Sequence, residues 1–372
     1  MPKPPLFRRL MAASSTLVVS AAATAQVDIE AIIDDMTLEE KAGQMTQLTL
    51  QAVSSQRQWT DTEHELDMDA LRNAIVNKHV GSFLNQYDAA FTPEHWREVI
   101  GTIQQVATDE TRLGIPVVYG VDSVHGANYV QGATIFPQNI NIGATFNPEH
   151  SYTGNMITAL ETQAAGIPWN FSPVGDVARQ PLWSRFFETF GEDPLLVSRM
   201  AGEAVRGMQE SDVNVAACGK HFIGYSMPRT GKDRTPTQVG MIEKLEIFAP
   251  PFEAMIEANV QTMMINSGEV NGVPVHASQE LRGGLLRERM GFDGVILTDW
   301  EDILKLTSIH RTAPTEKEGV RQAILAGVDM SMVPLTLDFP DYVVELVREG
   351  AISEERIDES VRRILQLKDD LG

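Results

Sequence analysis

Residues 294–301 read GVILTDWE: an apolar, β-branched run that delivers Asp299 near its end with Trp300 beside it. Four apolar or Thr residues without alternation fit a strand buried on both faces, the kind found in parallel sheets. A carboxylate at the C-terminal end of such a strand stands on rigid backbone, at the face where α/β barrels gather their reactive groups. The same residues have a plainer use, since Asp is favoured as the N-cap of a helix and TDW could simply end a strand and open one. The rest of the chain decides how much weight Asp299 carries.

Working outward, short β-rich runs alternate with helical patterns. The runs are HVGSFL at 79–84, IPVVYGV at 115–121, IGATF at 142–146, IPWNFSPV at 167–174, VNVAAC at 213–218, QTMMIN at 261–266, GVILT at 294–298 and GVDMSMV at 327–333. Between them lie segments with apolar residues at helical spacing, such as PEHWREVIGTIQQVATDE, VSRMAGEAVRGMQE, EIFAPPFEAMIEA and EGVRQAILA. This is the βα alternation of a parallel sheet, and eight units in about 340 residues predict a closed (β/α)8 barrel rather than an open doubly wound sheet. Before the first run, TLEE at 37–40 forms a capping box, and the apolar spacing Ala42, Met45, Leu48 predicts that this helix continues through Leu48. At the other end a helix capped by Ser353 reaches the last residues.

Composition narrows the function. The 372 residues are 43% hydrophobic and 22% charged, enough for one large α/β domain or two small ones. Fifty-one acidic against 30 basic residues give a net charge of -21, which argues against a nucleic-acid partner and against polyanionic substrates. Lys3, Arg8 and Arg9 precede LMAASSTLVVSAAATA, whose small-residue end at Ala23 to Ala25 predicts a cleaved export signal over 1–25 and a mature domain over 26–372. The run is short for a transmembrane helix and no Cys follows it, so no membrane anchor is expected. The single Cys218, in an apolar stretch, excludes an intrachain disulfide and reads as a core residue. No GxGxxG turn or GxxxxGK[ST] loop is present, and no cofactor or metal is expected.

Polar side chains collect at the predicted strand ends: Asp122 after VVYGV, Arg185 in the loop after the strand near 170, and Lys220 and His221 after VNVAACG. Asp233 and Arg234 follow in GKDRTP, then Asp299 and Trp300. Singly, each has an ordinary explanation: a turn cap, a surface ion pair, a solvated lysine, a core histidine. Together, an acid, a guanidinium, an ammonium, an imidazole and an indole suit a ligand with several hydroxyls and an apolar CH face, which describes a pyranose.

These stretches resemble glycoside hydrolase family 3, the β-glucosidase family, in its N-terminal barrel domain. The matching segments are IPVVYGVDSVHGANYVQGATIFPQNI, NFSPVGDVARQPLWSRFFETFGEDP, GKHFIGYSMPRTGKDRTP, MMINSGEVNGVPVHAS, GVILTDWEDI and RIDESVRRILQLK, spread over residues 30–372. The resemblance implies that Asp299 is the nucleophile of a retaining glycosidase. It implies that Asp122, Arg185, Lys220 and His221 hold the hydroxyls of the sugar that is cleaved, and that Trp300 packs beside it. Ser267 is counted with them as a substrate-binding position, where many members carry a Tyr in contact with the sugar, and LWSR stands where RWGR is frequent, with Arg185 retained. The implied substrate is a terminal β-linked glucose of an oligosaccharide.

A retaining glycosidase also needs a second carboxyl about 5–5.5 Å from the first, to protonate the leaving oxygen and then activate water. In two-domain members this group comes from a following α/β sandwich domain, so the expectation is a barrel without its own proton donor. A single-barrel branch acts as an N-acetylglucosaminidase through a His in the loop after KHF, but here that loop, IGYSMPRTGKDRTP, has none. Two further alternatives are a non-catalytic sugar-binding barrel and a Schiff-base aldolase using Lys220. The aldolase reading gives Asp299, Trp300 and Arg185 no common purpose.

Overall fold

The computed structural model describes residues 27–55, 64–86, 89–210 and 213–372. The expected export signal lies outside them. No helix of the described residues is long and apolar enough to cross a membrane.

Eight parallel strands form one sheet: β1 (Thr46–Thr49), β2 (Ser82–Leu84), β3 (Val118–Val121), β4 (Trp169–Asn170), β5 (Ala216–Phe222), β6 (Thr262–Ile265), β7 (Val295–Leu297) and β8 (Ser331–Met332). Each pairs with its sequence neighbour from β1 to β7, and β8 pairs with β1. A Leu297–Met330 bridge joins β7 to the segment entering β8, so the sheet curls into a nearly closed barrel ringed by helices, as predicted. At this seam side chains complete what the backbone does not. The Asp329 carboxylate accepts the Ile296 N–H at 2.9 Å, and the Thr298 hydroxyl accepts the Met332 N–H at 2.9 Å. Asp329 also binds Arg287 at 2.5 Å and Arg363 of the last helix at 3.0 Å.

Two expectations are corrected. The helix capped at Thr37 has its capping box but ends at Gln44, and Thr46–Thr49 is the first barrel strand. Its four residues are all buried, so the run lacks the alternation that marks a half-exposed strand, and Leu48 happened to continue the helical spacing. Conversely, 142–146 is no strand. It is the end of a short helix, Asn139–Gly143, followed by a turn in which Phe146 is 75% exposed at φ 53°. Gly143 packs so tightly on Phe190 that an added Cβ would lie 2.0 Å from its carbonyl oxygen. The apolar letters there serve a turn, not a sheet.

The outer helices start where the sequence says they should. Pro148–Ala164 and Pro194–Gln209 each place Pro in the first turn, behind Asn147 and Asp193, whose side chains accept N–H bonds from that turn. The two pack together at Gly207, where a Cβ would come within 2.3 Å of the Tyr152 carbonyl oxygen. Inside, Trp169 and Phe171 are fully buried and meet edge to face at 4.9 Å. Truncating such a core aromatic costs about 3–5 kcal/mol. Cys218 is buried, as expected.

Candidate active site

At the C-terminal ends of the strands a cavity of about 420 Å³ opens, within the usual range for small-ligand sites. Asp122, Arg185, Lys220, His221, Asp299 and Trp300 all line it. Its permanent charges balance: Asp122, Glu188 and Asp299 against Arg185, Lys220 and Arg234. A chain of strongly negative net charge therefore presents a neutral, hydrogen-bonding pocket.

Asp299 follows β7 and does not cap the next helix, Asp302–Ser308, which has no side-chain cap. Its carboxylate is instead surrounded by donors. Oδ2 accepts from Ser267 Oγ at 2.8 Å; Oδ1 accepts from Trp300 N at 2.5 Å and Arg234 Nη2 at 3.2 Å. Arg185 Nη1 stands 4.0 Å and His221 Nε2 3.9 Å from Oδ2. Burial works against ionisation, but the positive charge of Arg234, the His221 imidazole, Arg185 and the Trp300 N–H outweigh it and hold this carboxyl well below the usual carboxylate range. Asp299 is therefore a charged carboxylate set in a ring of donors.

Lys220 and His221 are consecutive residues of one strand, yet both reach the cavity, because the β5–β6 register shifts between Gly219 and Phe222. Lys220 is 2% exposed and no solvated surface lysine: it pairs with Asp122 at 2.6 Å. Asn85 Nδ2 donates to the other Asp122 oxygen at 2.8 Å. Commitment to this pair removes the premise of the aldolase reading, a free desolvated amine. Arg185 is fixed by two 2.8 Å bonds to Glu188, three residues further along the chain.

His221 is buried against Asp176, whose Oδ2 accepts from the His221 backbone N at 3.0 Å and lies 2.8 Å from Nδ1. Burial raises the Asp176 carboxyl to about 8 and, with the charge of Arg185, pushes the imidazole well below its ordinary value. Both directions disfavour the ions, so carboxyl and imidazole are each held neutral. The same Asp176 oxygen meets the His221 backbone N–H and Nδ1, which fixes the ring with Nε2 toward Asp299.

Ser267 does not line the cavity; it is buried and spends its hydroxyl on Asp299. Asp233 also turns away, accepting the Trp183 indole N–H at 2.8 Å. Sequence reasoning gave no role to Glu188 or Asp176. A lone acid between valines in PVGDV was a readable sign of a buried, partnered carboxyl. No group of three or more His, Cys, Asp or Glu among the described residues is arranged to hold a metal ion.

Residues 37–367 match the family model described as the glycosyl hydrolase family 3 N terminal domain. The chain belongs to glycosyl hydrolase family 3. Among relatives of this family 3 barrel, a lysosomal beta glucosidase of Dictyostelium discoideum is 44% identical over 92% of the chain and 44% of its own length. A periplasmic beta-glucosidase of Salmonella typhimurium is 28% identical over 92% of the chain and 41% of its own. The crystal structure of a beta-glucosidase from Listeria innocua in complex with isofagomine superposes with a TM-score of 0.80 at 30% identity, covering 92% of the chain and 46% of that enzyme. The family 3 barrel thus spans less than half the length of these relatives.

Proposed function

We propose that this barrel is the sugar-binding and nucleophilic half of a retaining β-glucosidase acting on terminal β-linked glucose of oligosaccharides. The observation that carries the reading is the Asp299 carboxylate, kept charged at the floor of a neutral polar cavity with the indole of Trp300 beside it. Asp122, Arg185, Lys220 and His221 offer acceptors and donors spread around one pocket, as the hydroxyls of a pyranose require. The names of the Dictyostelium and Salmonella relatives favour glucose, and the second, being periplasmic, agrees with the export signal expected over residues 1–25.

In this reading an Asp299 oxygen attacks the anomeric carbon as the aglycone oxygen leaves with the bonding pair and takes up a proton. Water then displaces the ester. The cavity's other two carboxyls are each tied to a cation, Asp122 to Lys220 and Glu188 to Arg185, so no free carboxyl of the lining serves as proton donor, and in this reading the acid comes from outside the cavity. The loop after β5 offers no His for the N-acetylglucosaminidase route; its cavity-facing residue is Arg234.

Trapping with a 2-deoxy-2-fluoro glucoside tests the assignment. The label is expected on Asp299 and absent in Asp299→Ala. Labelling of another carboxylate, or preferential turnover of aryl N-acetylglucosaminides or xylosides over glucosides, overturns it.

A further inference from the structure

Arg234 sits on the loop that leaves β5, and it is built to stay where it is. Its own backbone is in the left-handed region, φ 57°, which a non-glycine residue holds only when its surroundings enforce it. The enforcement is visible. Neighbouring Asp233 accepts the indole N–H of buried Trp183, and Trp183 packs edge to face on Tyr225 at 5.1 Å. The loop is closed by a Pro228–Thr237 bridge, and Thr237 bridges on to Val270.

From this anchorage one guanidinium spans the end of β7. Nη2 lies 3.2 Å from Asp299 Oδ1, Nη1 lies 3.4 Å from the Trp300 carbonyl oxygen, and Nη1 stands 3.9 Å from Asp302 Oδ1. Arg185 reaches no closer than 4.0 Å to the same carboxylate and is already engaged by Glu188. Arg234 is thus the cation in hydrogen-bond contact with Asp299.

The chemistry of a glycosyl ester gives that contact a consequence. When an Asp299 oxygen bonds to the anomeric carbon, the carboxylate loses its negative charge. When water adds to that carbon and gives its proton to a base, the ester C–O bond breaks and its electron pair returns to Asp299. A cation fixed on the carboxylate favours the charged form at both ends of the cycle. We propose that Arg234 is a catalytic residue of this site: its guanidinium makes Asp299 a better leaving group, speeding ester breakdown at the expense of ester formation. The proposal rests on the reading of Asp299 as the nucleophile.

The groups facing Asp299 are Arg234 from the β5 loop, Arg185 from the β4 loop, His221 of β5, Tyr225 beyond it, Ser267 after β6, His276 further on, the Trp300 N–H, and Asp302 on the following helix. Of these only Arg234 is both permanently charged and in contact. Arg234→Gln and Arg234→Lys are compared with the wild-type chain in pre-steady-state hydrolysis of dinitrophenyl glucoside over a range of pH. Removing an adjacent opposite charge raises a carboxyl by about 1–3 pH units, so Arg234→Gln is expected to bring an acid limb in kcat/KM into view, and Arg234→Lys to move it back. The burst is expected to grow relative to the steady rate in Arg234→Gln, because ester breakdown slows by roughly ten- to a hundredfold, the scale of a charge-assisted contact.

An unmoved acid limb and an unchanged ratio of burst to steady rate, in a variant whose thermal midpoint matches the wild type, overturn the role. If Arg234→Gln does not fold, Arg234→Met, which also removes the charge and keeps the apolar stem, is read by the same two measurements. Fluoroglucoside labelling of the wild type separates the two readings. Label absent from Asp299 overturns the nucleophile and with it this proposal; label on Asp299 with no shift in Arg234→Gln overturns only the role of Arg234.

Discussion

The Ser267 hydroxyl donates to Asp299 Oδ2 at 2.8 Å, and both residues are buried. The position where an aromatic contact to the sugar was the family expectation is thus spent on the carboxylate itself. A hydrogen bond to a charged group contributes about 1.5–3 kcal/mol, so Ser267→Ala is expected to lower kcat/KM for aryl glucosides by roughly ten- to a hundredfold. Glucose affinity, measured by calorimetry, should change little, because Ser267 does not face the cavity.

Leaving-group dependence tests the proton donor. With Asp122 and Glu188 both held by cations, the purified 372-residue chain should release dinitrophenol in a burst while turning over cellobiose at a rate lower by about two to four orders of magnitude. Azide, which needs no base to attack the ester, should accelerate the steady phase, and the acceleration should vanish in Asp299→Ala. Efficient cellobiose hydrolysis that azide does not affect places the acid/base within the cavity.

The Asp176–His221 pair predicts an orientation effect. In Asp176→Ala the His221 backbone N–H and Nδ1 lose their common partner, so the ring is no longer held with Nε2 toward Asp299. A loss of roughly one to two orders of magnitude in kcat/KM is expected, with the far-ultraviolet circular dichroism spectrum unchanged. Wild-type activity in this variant would show that the orientation of the His221 ring is not used.

Lys368 of the last helix, Glu354–Asp370, is buried with Gln44 Oε1 as its hydrogen-bond partner at 2.5 Å, and burial lowers its ammonium to about 7. Between about pH 7 and its ordinary value of 10.5 the unfolded chain holds a proton that the folded chain has released, so stability rises with pH across that window. Below about pH 7 the cost is present in full; at about 1.4 kcal/mol per unit it reaches a few kcal/mol. Lys368→Met keeps the apolar stem and is expected to raise stability at pH 7 by about 1–3 kcal/mol, after the lost bond to Gln44 is counted, and to flatten the pH dependence. Urea unfolding at pH 7 and pH 9.5 checks both. A destabilised variant at pH 7 would mean that the bond to Gln44 outweighs the burial cost.

Much of this could be read from the residues, for reasons that differ by element. Runs such as VVYGV and GVILT announce strands because β-branched residues buried on both faces leave no polar alternation. The same property hid β1, whose TQLT carries polar letters that are nonetheless all buried. IGATF misled because apolar content alone does not separate a strand from a turn around a tightly packed glycine. Of the cavity residues, those at strand ends were legible because the barrel fixes where strand ends meet. The contact of Arg234 with Asp299 was not, since it depends on a loop conformation set by Trp183 and Thr237, which are far from Asp299 in sequence.

Most joints of the barrel are backbone ladders, and ladder hydrogen bonds are blind to which side chains the strands carry. At the seam between β7 and β8 the backbone bonds from Met330 N–H to the Ile296 carbonyl and from Thr298 N–H to the Met330 carbonyl are joined by two side-chain acceptors, the carboxylate of Asp329 and the hydroxyl of Thr298. Part of the strand pairing at that joint is thus written in the genetic code. A single-nucleotide change at Asp329 or Thr298 can therefore loosen the strand edge on which Asp299 rides. The seam is where inheritance reaches the barrel's main chain.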